Sequence, residues 1–144
     1  MNTRWINKAL MAVAVLALAS VAEAARVDVT AVTPVGPYPT LPVSANAMDF
    51  VWTACDPTNF DQFSHTGREL ILVKNANVST AKWVTFESVV NLGRTGDITQ
   101  YSLGASEYAA FWAGNSVGWR QSGGKFYMKC EGTDIKYAIV RIPG

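Results

Sequence analysis

The sequence predicts an all-β domain of about seven or eight strands, arranged as a sandwich or a barrel. Short runs of alternating apolar and polar residues recur along the chain, and turn-forming residues separate them at intervals of roughly 8–12 residues. After residue 24, no run has the period of about 3.6 residues that is typical of an amphipathic helix. The chain has 144 residues, 49% of them hydrophobic, which is enough for one domain with one core.

Residues 1–24 differ from the rest of the chain. They combine two early positive charges, an uncharged apolar stretch and small residues at the end, the order of a secretory signal peptide cleaved between Ala24 and Ala25. An uncleaved apolar helix, used as an anchor or an assembly arm, is the alternative. We therefore divide the chain into this leader, an N-terminal strand and arm over residues 25–46, and a β-domain over residues 47–144.

The N-terminal segment begins with an alternating run over residues 26–33, which predicts a strand that buries Val27, Val29 and Ala31 on one face. Four prolines follow within nine residues, and they exclude a helix or a central strand. We predict an extended docking arm whose candidate contact residues are Pro34, Pro37, Tyr38, Pro39 and Pro42.

The next two segments are a strand and a loop. The run MDFVWTA over residues 48–54 predicts a strand with Met48, Phe50 and Trp52 on one face. Residues 56–67 are rich in Asp, Asn, Ser and Gly, so we predict a polar loop.

The middle of the domain contains its most apolar strand, residues 69–73, which we place at the centre of a sheet. Residues 75–81 predict a turn, residues 82–87 an alternating strand, and residues 93–97 a second turn.

The last third predicts two strands, residues 107–112 and 125–131, separated by a glycine-rich stretch. A tight turn at residues 132–134 then leads into a final strand over residues 135–142.

Two cysteines, Cys55 and Cys130, lie at or near the ends of predicted strands. An even number of cysteines in an exported protein suggests a disulfide, which by loop closure would add about 4 kcal/mol to stability. Two separate buried thiols are the alternative, because the sequence gives no distance between the two residues.

The charge pattern argues against a nucleic-acid partner, because the net charge is +1 and there is no basic run. The single histidine, His65, lies in a polar stretch and is expected to be a solvated loop residue. Four acidic residues, Glu69, Glu87, Asp97 and Glu107, could form a glycosidase-type pair, but nothing in the sequence brings any two together. We therefore predict no catalytic residue, no cofactor and no small-molecule substrate.

One loop offers oxygen ligands, from Asp56, Asn59 and Asp61. Their spacing does not match an EF-hand, and Asp and Asn beside proline more often close turns through their own side chains. We therefore predict a turn and assign no metal ligand.

The aromatic residues are numerous for one small core, so some are expected on the surface. Trp112 and Trp119, which flank the glycine-rich stretch, are the candidates for an exposed pair. Such a pair would suit contact with another protein or stacking against sugar rings.

The segment TGRELILVKNANVSTAKWVTFES resembles the small decoration, or head-stabilising, proteins of tailed bacteriophages. The resemblance extends more diffusely to residues 50–63, 118–127 and 134–142, and in all covers about residues 45–143. The positions that carry it most directly are Gly67, Arg68, Glu69, Leu70 to Val73, Lys74, Asn75, Val84 and Thr85.

This resemblance implies a jelly-roll-like or other β-sandwich without enzymatic activity. It also implies a location on the outer surface of a virion, as a homotrimer that binds and cements major capsid protein subunits, with the proline arm as a strap. The leader departs from this pattern, because phage structural proteins assemble in the cytoplasm. The alternative is a secreted or periplasmic β-sandwich binding module that uses Trp112 and Trp119, with carbohydrate as its candidate ligand.

Overall fold

A computed structural model describes residues 25–34, 50–90, 96–112, 114 and 117–143. The leader and four residues of the proposed arm, Pro37, Tyr38, Pro39 and Pro42, lie outside these ranges. Ten strands form within the described residues: β1 Val27–Asp28, β2 Ala31–Val32, β3 Thr53–Ala54, β4 Asp61–Ser64, β5 Glu69–Asn75, β6 Lys82–Glu87, β7 Ile98–Leu103, β8 Tyr108–Trp112, β9 Lys125–Cys130 and β10 Ile135–Arg141. Two short 3₁₀ turns, Val117–Trp119 and Ser122–Gly124, precede β9.

Strands β3 to β10 form two antiparallel sheets that pack face to face. Sheet A has the order β4-β9-β6-β7, and sheet B has the order β3-β10-β5-β8. From β3 onward, every connection passes from one sheet to the other except the one between β6 and β7, which are paired neighbours in sheet A. Eight strands connected in this way form a jelly roll, so the predicted all-β sandwich is confirmed.

The N-terminal segment extends both sheets and is not a single strand. β1 pairs with β4 at the edge of sheet A, β2 pairs with β10 in sheet B, and both pairings are parallel. The chain therefore crosses between the sheets after β1, so Val29 is buried whereas Val27 is 37% exposed. The prediction that Val27, Val29 and Ala31 share one buried face is wrong, because the crossing breaks the two-residue alternation.

The core lies between the two sheets and is built from alternate residues of their central strands. β5 lies between β10 and β8, which confirms the predicted central strand. Sheet B contributes Ile71, Val73, Ile135, Tyr137 and Ile139, and sheet A contributes Phe63, Val84, Phe86, Phe126 and Met128, all at most 1% exposed.

The remaining strand predictions are confirmed in part. β6, β8, β9 and β10 lie within a residue of their predicted bounds, whereas the run 48–54 is a strand only at Thr53–Ala54. The predicted loop 56–67 contains β4. This strand lacks the alternating apolar pattern that predicts a strand, because its inward-facing residues are Asp61 and a single apolar residue, Phe63. β7 was not predicted, because this edge strand buries fully only Leu103.

Candidate docking face

The outer face of sheet B is apolar and aromatic. The register places Leu70 opposite Trp112 and Val140, Leu72 opposite Ala110 and Ala138, and Lys74 opposite Tyr108 and Lys136. Directly paired residues share a face, and the alternate positions of these strands fill the core, so these nine side chains point away from it. Together with Phe50 and Trp52, which lie over the same strands, we call this set the aromatic face.

A groove of about 500 Å³ opens on the aromatic face. The Trp52 ring lies between those of Phe50 and Tyr108, with edge-on contacts at centroid distances of 6.2 and 6.1 Å. The Lys74 ammonium lies 4.4 Å from the centroid of the Trp52 ring, within the range of a cation–π contact. The groove is lined by Phe50, Trp52, Leu72, Val73, Tyr108, Ala109 and Ala110.

The two tryptophans predicted as an exposed pair have different environments. Trp112 is 68% exposed at the end of β8, as predicted, and Tyr108 on the same strand is 66% exposed. Trp119 is half-buried and packs against the core, with its ring stacked on Phe126 at 5.6 Å. The predicted pair is therefore wrong for Trp119, because its ring packs on Phe126 of sheet A.

The outer face of sheet A differs in polarity from the aromatic face. There the guanidinium of Arg26 pairs with Glu87 at 2.6 Å and lies 4.1 Å from the centroid of the Tyr127 ring. Lys129 also pairs with Glu87, and nearby the ammonium of Lys125 lies 2.6 Å from Asp28. This face resembles an ordinary solvated surface, because each of these three cations contacts a carboxylate.

The two cysteines form the predicted disulfide. Cys55 and Cys130 have Cα atoms 6.4 Å apart and are almost fully buried. Cys130 ends β9 of sheet A, and Cys55 follows β3 of sheet B, so the bond links the two sheets. Cys55 is three residues from Trp52, which places a covalent anchor close to one wall of the groove.

Asp61 is a buried carboxyl beside this disulfide. Its Oδ2 accepts a hydrogen bond from the backbone N–H of Asp56 at 3.2 Å, and among the described residues its Oδ1 has no hydrogen-bond partner. Burial raises the pKa of Asp61 to about 6. The carboxylate and the two sulfurs lie within 4.8 Å of one another, but sulfurs bonded to each other are not the thiolates that a metal requires.

The loop that carries Asp56 and Asn59 closes on itself. Oδ1 of Asp56 accepts the backbone N–H groups of Thr58 and Asn59 at 2.8 and 3.0 Å, and Oδ2 accepts the Asn59 side-chain amide at 2.9 Å. The hydrogen bond from the Asn59 backbone is the main reason that the pKa of Asp56 is lowered. The structure thus shows the predicted turn, with Asp61 directed into the core.

His65 is buried, so the prediction of a solvated loop residue is wrong. The ring packs on Phe126 at 5.7 Å, and Nδ1 lies 3.4 Å from Oε2 of Glu69. Burial lowers the pKa of His65, which favours the neutral ring. Asp61, Phe63 and His65 alternate along the chain and all point inward, so His65 continues the pattern of β4 beyond its end. This alternation could have predicted the burial of His65, but the polar residues around it indicated a loop.

Glu69 organises the turn between β4 and β5. Its carboxylate accepts hydrogen bonds from Thr66 Oγ1 at 2.6 Å, Arg141 Nε at 2.8 Å and the Gly67 backbone N–H at 3.0 Å. Burial alone would raise the pKa of Glu69, but the hydrogen bonds from Thr66 and Arg141 outweigh it and lower the pKa to about 2. Gly67 has φ +91°, a conformation that favours glycine, so the Gly-Arg-Glu motif has a structural explanation.

The other three carboxylates considered for catalysis each have a separate local partner. Glu87 pairs with Arg26 and Lys129, Asp97 accepts from the backbone and hydroxyl of Ser88, and Glu107 accepts from the backbone N–H of Gly104. Each of these contacts closes a turn or an ion pair, and the structure brings none of the three into the network of Glu69.

Comparison with family models, curated proteins and solved structures finds no significant match to this chain. Within the described ranges, no helix is long and apolar enough to span a bilayer.

The groove residues Phe50, Trp52 and Tyr108 were not predicted as a site. Two alternating runs in the sequence contain these residues. Phe50 and Trp52 alternate along one run, and Tyr108, Ala110 and Trp112 alternate along another. Pairing through β5 and β10 brings these two runs onto one face, and no local pattern contains that information.

Proposed function

We propose that this chain is a non-enzymatic structural protein that binds the outer surface of a phage capsid through the aromatic face and stabilises the lattice. The contrast between the two outer faces carries this proposal. Sheet A presents paired charges to water, whereas sheet B presents Trp112, Tyr108 and Phe50 at 68, 66 and 44% exposure. A contiguous exposed apolar surface on a small domain is typical of a site that another protein covers.

The size of the aromatic face favours attachment by several copies at once. Its three paired strands, β10, β5 and β8, lie about 4.8 Å apart and contribute five residues each at about 3.4 Å per residue, which gives roughly 250 Å² of flat area. A stable interface buries about 800 Å² on each partner. We therefore propose that the protein acts as a homotrimer whose subunits bind neighbouring major capsid protein subunits together, so that modest contacts reinforce one another.

Stabilisation of the shell follows from mass action. A protein that binds the assembled lattice but not free capsid subunits shifts the equilibrium towards the lattice. The disulfide is compatible with this location, because virion surfaces, like exported proteins, occupy an oxidising environment.

The second candidate is a secreted or periplasmic module that binds carbohydrate on the same aromatic rings. Exposed aromatic rings on a β-sandwich and the disulfide favour it. The chemistry of the groove argues against it, because the described residues that line the groove offer only the Tyr108 hydroxyl and the Trp52 indole N–H as side-chain polar groups. A sugar presents hydroxyl groups around its ring, which need more hydrogen-bond partners than these two.

The test is to purify virus particles from the strain that encodes this chain and to measure the copy number of the protein on them. We expect stoichiometric amounts on the particles, and we expect particles lacking the protein to release their contents at a lower temperature. Intact mass of the protein in the particle and in the culture medium is measured in parallel. A protein found only in the medium, trimmed at Ala25 and bound to glycans, would overturn the capsid proposal and support the second candidate.

A further inference from the structure

We infer that the aromatic face receives an acidic segment of a capsid subunit, with an apolar side chain in the groove and a carboxylate at Lys74 and Lys136. This inference rests on the proposed function and adds the chemistry of the partner.

The lysine pair is the first observation. Lys74 on β5 and Lys136 on β10 are directly opposite each other in the register of sheet B, on the aromatic face. Like charges directly opposite each other destabilise a sheet. The other lysines of the described ranges, Lys82, Lys125 and Lys129, each pair with a carboxylate, whereas within those ranges neither Lys74 nor Lys136 has an acidic partner. Among the described residues, these two adjacent cations therefore have no carboxylate partner, and they lie on the face where we place the partner protein.

The position of Lys74 relative to the groove is the second observation. Its ammonium lies 4.4 Å from the centroid of Trp52, and Trp52 is a wall of the groove. A carboxylate that binds this ammonium is therefore held next to the groove. One segment with an acidic residue and a large apolar residue close together can satisfy both features at once.

The groove itself favours a protein partner. Its volume of about 500 Å³ lies within the range of about 300–1000 Å³ that is typical of ligand pockets, and its lining is almost entirely apolar. A peptide side chain such as Leu, Met or Phe needs no hydrogen bond there. A nucleic acid could use the lysines and stack on the rings, and it is included below as an outcome that would contradict the inference.

The experiment measures binding of the full chain to purified capsid shells that lack it. Lys74→Gln with Lys136→Gln removes the positive pair, and Lys82→Gln with Lys125→Gln removes two lysines of sheet A as a matched control. We expect the first variant to bind at least ten-fold more weakly and with a smaller dependence on salt, and the control to bind within two-fold of wild type. Because all four lysines are partly exposed, we expect both variants to keep the wild-type melting temperature to within a few degrees.

Two further measurements test the groove and the acidic partner separately. Ala110→Trp places a large side chain in the groove from an exposed position, and we expect at least a ten-fold loss of binding. Amidation of the carboxylates on the shell surface is expected to reduce wild-type binding to the level of the Lys74→Gln, Lys136→Gln variant and to leave that variant unchanged.

The outcomes separate the inference from the proposed function. If wild-type protein binds shells and all variants bind equally well, the inference is overturned and the proposed function stands. If wild-type protein does not bind shells, the proposed function is overturned and this inference with it. Stronger binding to a single-stranded oligonucleotide than to shells would also overturn the inference.

Discussion

The buried carboxyl of Asp61 provides the sharpest test of the core. The pKa of Asp61 is raised by burial from 3.8 to about 6. Between these two values the unfolded chain has lost the proton whereas the folded chain keeps it, so this group lowers stability progressively as the pH rises from about 4 to 6. The difference of about two pKa units, at 1.36 kcal/mol each, corresponds to a cost of about 3 kcal/mol at pH 7.

The variant Asp61→Asn keeps the shape and the oxygen that accepts the Asp56 N–H, but cannot ionise. We expect it to be more stable than wild type by about 3 kcal/mol at pH 7 to 8 and to match it near pH 4. Urea unfolding at intervals of half a pH unit, with the disulfide intact, gives this difference directly. The control is Asp28→Asn, an exposed carboxylate on a neighbouring strand, which is expected to change stability by less than about 1 kcal/mol at every pH.

A difference between wild type and Asp61→Asn that is constant from pH 4 to pH 8 would refute the reasoning. The same is true of a variant that is less stable than wild type at pH 8, because the carboxylate would then have a stabilising partner in the core.

Three other predictions concern stability. Replacing both Cys55 and Cys130 by Ala should lower the free energy of unfolding by about 4 kcal/mol, measured by urea unfolding, and an equal stability of reduced and oxidised protein would contradict the loop-closure argument. Because hydrogen bonds lower the pKa of Glu69 to about 2, Glu69→Gln should cost about 3 kcal/mol above pH 5, and this cost should vanish as the pH falls from about 4.5 to 2. Trp112→Ala should change the melting temperature little, whereas Trp119→Ala should cost about 2 kcal/mol, and the reverse order would contradict the assigned burial.

The central strands could be predicted because the apolar pattern that identifies each of them lies within its own residues. β5 alternates buried and less buried positions along seven residues, so the sequence and the structure agree there, whereas β10 also buries Ala138 and Val140 on its outward side. The segments β4 and β7 could not be predicted in the same way. β4 buries a carboxyl, Asp61, in place of an apolar side chain, and β7 is an edge strand that is polar along most of its length.

The candidate site depends on contacts between distant parts of the chain, and this limited its prediction. The exposure of Trp112 follows from its place on an alternating strand. Trp119 is instead half-buried, because its ring stacks on that of Phe126, a residue of a different strand. The groove between Trp52 and Tyr108 forms only when β3 and β8 belong to the same sheet. The order of strands in a sheet cannot be predicted from the residue pattern of any single strand.

Hydroxyl-radical footprinting of the protein, free and bound to capsid shells, tests the central claim most directly. The claim predicts that Trp112 and Tyr108 lose most of their reactivity on binding, whereas Tyr101, which is 40% exposed on the edge strand β7 of sheet A, retains it. Unchanged reactivity of Trp112 and Tyr108 in shell-bound protein, or protection of Tyr101 alone, would show that another surface makes the contact.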